Sequence, residues 1–347
     1  MGILSSETGY LGIDIGNDSI KIVELKKEKD KVRLVTYGFS ENVNIGKTTW
    51  QDSVTNTAKI IQKIIKSSGM TSISAVASLP TFSVFSSVLN LSNVTKKDIA
   101  SAVHWEAKKV IPLPLDEMIL DWKIIKDAES DESGETKVLL TGAPQTLVKK
   151  YIEIFKKSQV NLLSLETETF SLVRSLIGHD KSTILLLEIG ASTTDVTIVD
   201  KGIPMLNRSI DVAGNSITKA IAKNLNVDLD QAEQFKYDMG ITSLDSLDEG
   251  VPKIISESIS PIVNEIKYAI NLFRGKNGDK EIEKIILSGG SAFLPNLTMY
   301  LSKVLDMKVI VGNPWEAVSY PVDLQPLLNE IGPRMSVAIG LALRETE

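Results

Sequence analysis

The sequence predicts an α/β protein of two related domains facing one another across a cleft. Three observations carry that expectation. The stretches LGIDIGNDSIKIVEL (11–25) and LLLEIGASTTDVTIV (185–199) share one pattern: an apolar strand, an acidic residue, Ile-Gly, small polar residues and a second alternating strand. Overlaid, they place Glu188 on Asp14, Ile189 on Ile15, Gly190 on Gly16 and Thr193 on Ser19. After both copies, EKIILSGGSAFLPNLTMYLSKVL (283–305) reads as a β-branched run, a Ser-Gly-Gly-Ser turn and a helix with Leu294, Leu297, Leu301 and Leu305 at helical spacing.

The first corner carries more polar groups than turning requires. Glycine permits the tight turn, and small side chains leave backbone N–H groups free to face an anion. A carboxylate at the strand end suits a hydrated metal ion. Two such corners closing from opposite sides would grip a polyphosphate with Mg²⁺, whereas a single copy is no more than a hairpin with a polar turn.

Further along, DIASAVHWEAKKVIPLPLDEMILDW (98–122) sets Val103, Ala107 and Val110 on one helical stripe, which Pro112 and Pro114 end. MILDWKII then alternates as a strand, DAESDESGET (127–136) reads as a charged hairpin tip, KVLLTGA as a strand, and PQTLVKKYIEIFKKSQV as a helix with proline in its first turn. Residues 82–162 thus read as an inserted strand-helix-strand-strand-helix-strand unit. Trp105 and Trp122 are expected in its core and His104 on its helix without chemistry. QAEQFKYDMG puts Glu233 and Lys236 three apart on one helical face. TSLDSLDEG (242–250) reads as a loop, and DLQPLLNEIGP (323–333) as a surface segment before a last helix.

Composition excludes several classes. The chain has 347 residues, 43% apolar and 24% charged, enough for two domains with sizeable cores. A net charge of −6 offers no footprint for nucleic acid. No cysteine and two histidines, His104 and His179, exclude thiolate chemistry, disulfides and a histidine-built metal site. No apolar run approaches a membrane span, so membrane contact is expected to be borrowed from a partner.

Taken in order, the three glycine-bearing segments resemble the two phosphate loops and the adenosine loop of the actin, sugar-kinase and heat-shock chaperone superfamily. ETETFSLVRSL (166–176) and SVAIGLALRE (336–345) resemble its two connecting helices. The resemblance implies an actin-like ATPase fold with ATP and Mg²⁺ as ligands. It assigns nucleotide contacts to Asp14, Gly16, Asn17, Ser19 and Lys21 in the first loop, and to Glu188, Gly190, Ser192, Thr193 and Thr194 in the second. Gly214 and Asn215 follow in VAGNSITKAIAKNL (212–225), then Glu233 and Lys236 at the ribose and base, and Gly289, Gly290 and Ser291 in the adenosine loop. Asp14 and Glu188 would hold the metal. Glu166 falls where relatives keep a Glu or Gln near the attacking water. Glu188 departs from the pattern, since most relatives carry Asp there.

Within the superfamily, the Trp-Glu-Ala-Lys-Lys helix running into Ile-Pro-x-Pro-Leu closely resembles the PilM family of type IV pilus assembly, with an insert like that of FtsA. The resemblance implies domain I at 1–182 with the 82–162 insert and a C-terminal helix at 332–347, and domain II at 183–331 with a helical lid at 214–281. It implies a cytoplasmic scaffold at the inner face of the membrane. The insert would bind the cytoplasmic N-terminus of a PilN-like protein, with PilO and the assembly ATPases reached indirectly; self-association is compatible with it. ATP turnover would be slow at most. The alternatives are an FtsA-like filament tether, disfavoured because the chain stops after the second connecting helix, and a small-molecule kinase, which would need a different insert.

Overall fold

In the computed structural model, residues 9–41, 54–92, 94–95, 97–125, 135–241, 250–278 and 280–346 are described. Strands β1 (Gly9–Ile15), β2 (Ser19–Glu28) and β3 (Lys31–Glu41) form an antiparallel meander. Helix α1 (Val54–Ser67) leads to β4 (Ser74–Leu79), parallel to β1. The insert follows as β5 (Phe85–Ser92), α2 (Ile99–Val110), β6 (Met118–Ile125) and β7 (Glu135–Pro144). The chain returns through α3 (Gln145–Ser158), β8 (Asn161–Thr167) and α4 (Glu168–Leu172), the last continued by a π-turn over Val173–Ile177.

Domain II repeats the scheme. Strands β9 (Ile184–Ile189), β10 (Thr194–Asp200) and β11 (Ile203–Ile210) form a second meander. Helices α5 (Gly214–Leu225), α6 (Leu229–Met239) and α7 (Gly250–Asn277) precede β12 (Lys284–Ser288), which is parallel to β9. Then come α8 (Leu297–Leu305), β13 (Val309–Val311), β14 (Val318–Ser319) and α9 (Gln325–Leu343). The sheet orders are β14-β3-β2-β1-β4-β8 and β11-β10-β9-β12-β13, so the duplication seen in the two corners extends to whole sheets.

The connecting helices α4 and α9 lie between the sheets. Val76 of one sheet, Leu186 and Ile286 of the other, and Leu172, Val337 and Leu341 of the helices share one buried cluster. Helix α9 reaches β1 so closely that a Cβ on Gly12 would stand 1.9 Å from the Ala338 carbonyl oxygen.

Several boundaries move. Helix α3 packs Tyr151, Ile154 and Phe155 into the core of domain I with Leu11, Ile13 and Ile61, and β8 pairs with β4. Both therefore complete domain I, and the inserted unit proper is the three-stranded sheet β5-β7-β6 with α2. Strand β14 pairs with β3, so the chain re-enters domain I before residue 331. Residues 325–333, read as a surface segment, are the first turns of α9 and bury Leu328, Ile331 and Pro333. The lid shares one continuous core with the domain II strands, Ile255 and Ile266 packing with Leu185 and Val196. Trp105 and Trp122 are 63% and 36% exposed rather than core, because α2 covers β5 and β7 with Val103 and Ala107 and leaves both rings outside that contact. Of the expected hairpin tip, residues 127–134, and of the expected loop, residues 242–249, lie outside the described residues, while Glu135 and Thr136 begin β7 and Gly250 begins α7.

Candidate functional site

Both corners close identically. The Gly16 N–H donates to the Ser19 carbonyl and the Gly190 N–H to the Thr193 carbonyl, each at 3.0 Å. They face one another across a cleft of about 910 Å³, within the range of small-ligand sites. Asn17, Asp18 and Ser19 line one side, and Ala191, Ser192 and Thr193 the other. The Asn215 amide donates to the Asp18 carboxylate at 2.6 Å, so a hydrogen bond bridges the two domains at the cleft.

At the strand ends the corners carry opposite charge logic. In the first, Asp14 lies opposite Lys21 in the ladder and the two form an ion pair at 2.8 Å; Ser78 donates to the other Asp14 oxygen at 3.3 Å. In the second, Glu188 lies opposite Asp195, like charge against like. Glu168, from the start of α4, joins them, and the three carboxylates offer ligand atoms all within 4.8 Å of one another. Like charges so close and so little solvated resist ionising. Burial and the neighbouring Asp195 and Asp14 push Glu188 up to about 8, against a smaller pull from Lys21. Burial lifts Asp195 to about 6, opposed by the Ser209 hydroxyl. Glu168 is also raised, by burial and by Glu188, Asp14 and Asp195, although its Oε2 accepts from the Thr81 N–H at 2.8 Å and the Thr81 hydroxyl at 3.2 Å.

Glu188 Oε2 is buried and has no hydrogen-bond partner among the described residues. A hard divalent cation fits this donor set of carboxylate oxygens, would satisfy the orphaned oxygen and would reverse all three shifts. Asp14 fits less directly, since Lys21 already occupies one of its oxygens.

The other wall is built by domain II. Lys236, 2% exposed, donates to both Glu233 carboxylate oxygens at 2.7 Å and to the Thr218 hydroxyl at 3.0 Å. Burial lowers its pKa against the pull of Glu233. Gly214 stands at the start of α5 beside the second corner, its N–H donating to the Gly190 carbonyl at 3.1 Å. Ser291 and Gly290 line the cleft. Gly289, at φ +86°, turns the chain where a Cβ would meet the Ile189 carbonyl oxygen at 2.4 Å, so only glycine fits.

The structure therefore brings together every sequence-expected residue except two. Thr194 is fully buried, and its hydroxyl donates to the Val212 carbonyl. Glu166 does not line the cleft; it pairs with Arg174 at 2.7 Å and accepts from Ser171 at 2.7 Å. The reason is register: β8 continues to Thr167, so α4 begins at Glu168, and this second acid of Glu-Thr-Glu turns into the cleft. Sequence reasoning also missed Asp195, although its overlay on Lys21 in the duplicated corners could have found it. Asp18, Tyr237, Phe293 and Arg334, further cleft residues, carried no pattern of their own.

A second hollow of about 510 Å³ lies on the insert, between the end of α2 and the turn after it, lined by His104, Lys108, Leu113 and Asp116.

A family model described as type IV pilus assembly protein PilM matches residues 12–346. Among curated relatives, the cell division protein FtsA of Neisseria meningitidis serogroup B is 29% identical over 287 residues, 72% of this chain and 66% of that protein. FtsA of Borreliella burgdorferi is 26% identical over 185 residues, 47% of this chain and 43% of its own length. The chain thus spans just under two thirds, or less, of these relatives. Among solved structures, a PilM-PilN type IV pilus biogenesis complex superposes with a TM-score of 0.84 at 25% identity, covering 98% of this chain and 99% of the other. MreB5 of Spiroplasma citri bound to AMPPNP gives 0.55 at 13% identity, covering 97% and 96%, and shares the actin-like fold.

Proposed function

The chain belongs to the PilM family of type IV pilus assembly proteins, and from that membership we propose that it is an ATP- and Mg²⁺-binding scaffold at the inner face of the membrane. The observation that carries the nucleotide reading is the charge inversion between the duplicated corners: an ion pair at Asp14–Lys21 and an uncompensated carboxylate pair at Glu188–Asp195. A polyphosphate that brought its own divalent cation would meet both requirements at once. Bound there, Mg²⁺ would neutralise phosphate charge and polarise the terminal phosphoryl group.

The chain's own residues do the rest. The Gly16–Ser19 and Gly190–Thr193 turns present backbone N–H groups to phosphate. Lys236 orients Glu233 toward the ribose, and Gly289-Gly290 lets a flat base approach the backbone. Glu168, fixed by Thr81, is placed to orient water, with turnover slow at most. Glu166 is released from that role by its pairing with Arg174.

The partner is the cytoplasmic N-terminal segment of a PilN-like inner-membrane protein, supported by the near-complete likeness to the PilM-PilN complex. Among the described residues no helix is long and apolar enough to cross a membrane, in keeping with recruitment by such a partner. The segment docks within residues 82–162, and PilO and the assembly ATPases are reached through it. Thr81, at the root of the insert, links that docking to the cleft through Glu168, so nucleotide and peptide occupancy are coupled.

Two measurements test the proposal. Mg-ATP at a hundredfold excess over Kd should stabilise the protein by about 2.7 kcal/mol, and Asp14→Ala should remove most of that gain. A peptide from the partner's N-terminus should bind with an affinity that changes when Mg-ATP is present. No thermal shift sinks the nucleotide reading, and no peptide binding in either state sinks the scaffold reading.

A further inference from the structure

Among the described residues, no strand lies beside the outer edge of the insert. In the order β5-β7-β6, β6 ends the sheet. Trp122 lies opposite Leu140 and Ile124 opposite Val138, and Leu140 and Val138 pack against α2. Leu120, Trp122 and Ile124 therefore share the face that carries α2, while Ile119, Asp121 and Lys123 take the other. Yet Trp122 and Ile124 are 36% and 40% exposed, and Ile119 is 45% exposed. The Trp122 N–H donates to the Asp121 carboxylate at 2.9 Å, a side-chain substitute for a neighbouring strand. Exposed apolar edges invite pairing, and charges such as Asp121 and Lys123 commonly guard against it.

Here the two charges select a partner rather than forbid one. We propose that β6 pairs antiparallel with β6 of a second copy of this chain, about a two-fold axis centred on Trp122. In that register Trp122 meets the partner's Trp122, Leu120 meets the partner's Ile124, and Ile119 meets the partner's Ile125. Asp121 and Lys123 meet the partner's Lys123 and the partner's Asp121, giving two opposite-charge cross-strand pairs. One face of the junction is wholly apolar; the other alternates apolar with paired charge. A slip of two residues in either direction sets Asp121 against itself or Lys123 against itself, and parallel pairing in register does both. The isologous arrangement joins the two inserted sheets edge to edge and closes at a dimer. It does not depend on nucleotide.

The test uses the full chain. Sedimentation velocity over a concentration series should show a monomer–dimer equilibrium. Asp121→Lys and Lys123→Asp should each weaken it about tenfold, and the double swap, which restores opposite charges across the axis, should recover it. Far-UV circular dichroism should show all variants folded. Because the chain contains no cysteine, Trp122→Cys gives a single thiol whose symmetry mate lies about 5 Å away between Cα atoms, inside disulfide range. It should oxidise to a covalent dimer. Leu120→Cys alone, about 14 Å from its mate, should not. A wild-type protein that stays monomeric at every concentration, as one whose edge serves only a different partner would, overturns the proposal. So do single reversals without effect, a double swap that fails to recover dimerisation, or equal cross-linking at 120 and 122.

Discussion

At Glu188 a carboxylate stands against Asp195 and Glu168, and the consequence is a pH-dependent stability. Its folded pKa, about 8, and that of Asp195, about 6, stand above ordinary carboxylate values. The folded state therefore holds more protons than the unfolded chain across this window, so stability falls as pH rises from the ordinary carboxylate range to about 8 and levels above it. In metal-free buffer the melting temperature should decline along that range; Mg-ATP should flatten the slope, and Glu188→Gln should flatten it without metal. A profile that rises instead would count against the crowded cluster. The two acids of Glu-Thr-Glu divide in the same way. Glu168→Gln should keep nucleotide affinity within a few fold while lowering phosphate release, since an amide fits the site but is a poor base. Glu166→Gln should leave release unchanged and cost about 2 kcal/mol in denaturant unfolding, because the half-buried Arg174 guanidinium, which also donates to the Gly340 carbonyl, then faces a neutral amide in place of a carboxylate.

Elements meet the cleft through two short junctions. Thr81, where the chain leaves β4 for the insert, supplies a backbone and a hydroxyl donor to Glu168. Thr81→Val removes one of them, worth about 1 kcal/mol. It should shift the Mg²⁺ dependence of nucleotide binding a few fold and blunt the effect of peptide on nucleotide affinity, and Thr81→Ser should restore both. A purely structural Thr81 would lower the melting temperature and leave the coupling intact. The second junction is the contact of α9 with β1. A Cβ at Gly12 would press on helix backbone, which has no flexible end to move aside. Gly12→Ala should destabilise by about 3 kcal/mol or more by urea unfolding.

For the whole molecule, the insert is separable and its return path is not. Phe85 lies opposite Gly142 in the β5–β7 ladder, so the chain enters and leaves the inserted sheet at neighbouring points. Replacing 85–144 with a short linker should leave Mg-ATP stabilisation intact while abolishing peptide binding, measured by calorimetry on one preparation. Removing 82–162 also takes Tyr151 and Phe155 from the core of domain I, and that variant should fail to fold. The Asp18–Asn215 hydrogen bond reaches between the domains. Asn215→Ala should leave each domain folded while weakening nucleotide by a few fold.

By itself the sequence determined the duplicated corners, the glycine turn that follows them and the order of strands and helices in the insert. Each is a local pattern, written in side-chain alternation, helical spacing and the dihedral freedom of glycine, and each needs only its own neighbours to be read. Only the tertiary structure decided which glutamate of Glu166 and Glu168 faces the cleft, because that turns on where β8 ends against β4. The same holds for α3, whose apolar stripe fits any core and is claimed by domain I, and for Trp122, whose large ring reads as core until α2 is seen to stop short of it. Asp195 became a site residue through the strand opposite it. A residue's type and spacing give its conformation, but its partners are chosen by packing between segments far apart in the chain, where one step of register changes what a side chain meets.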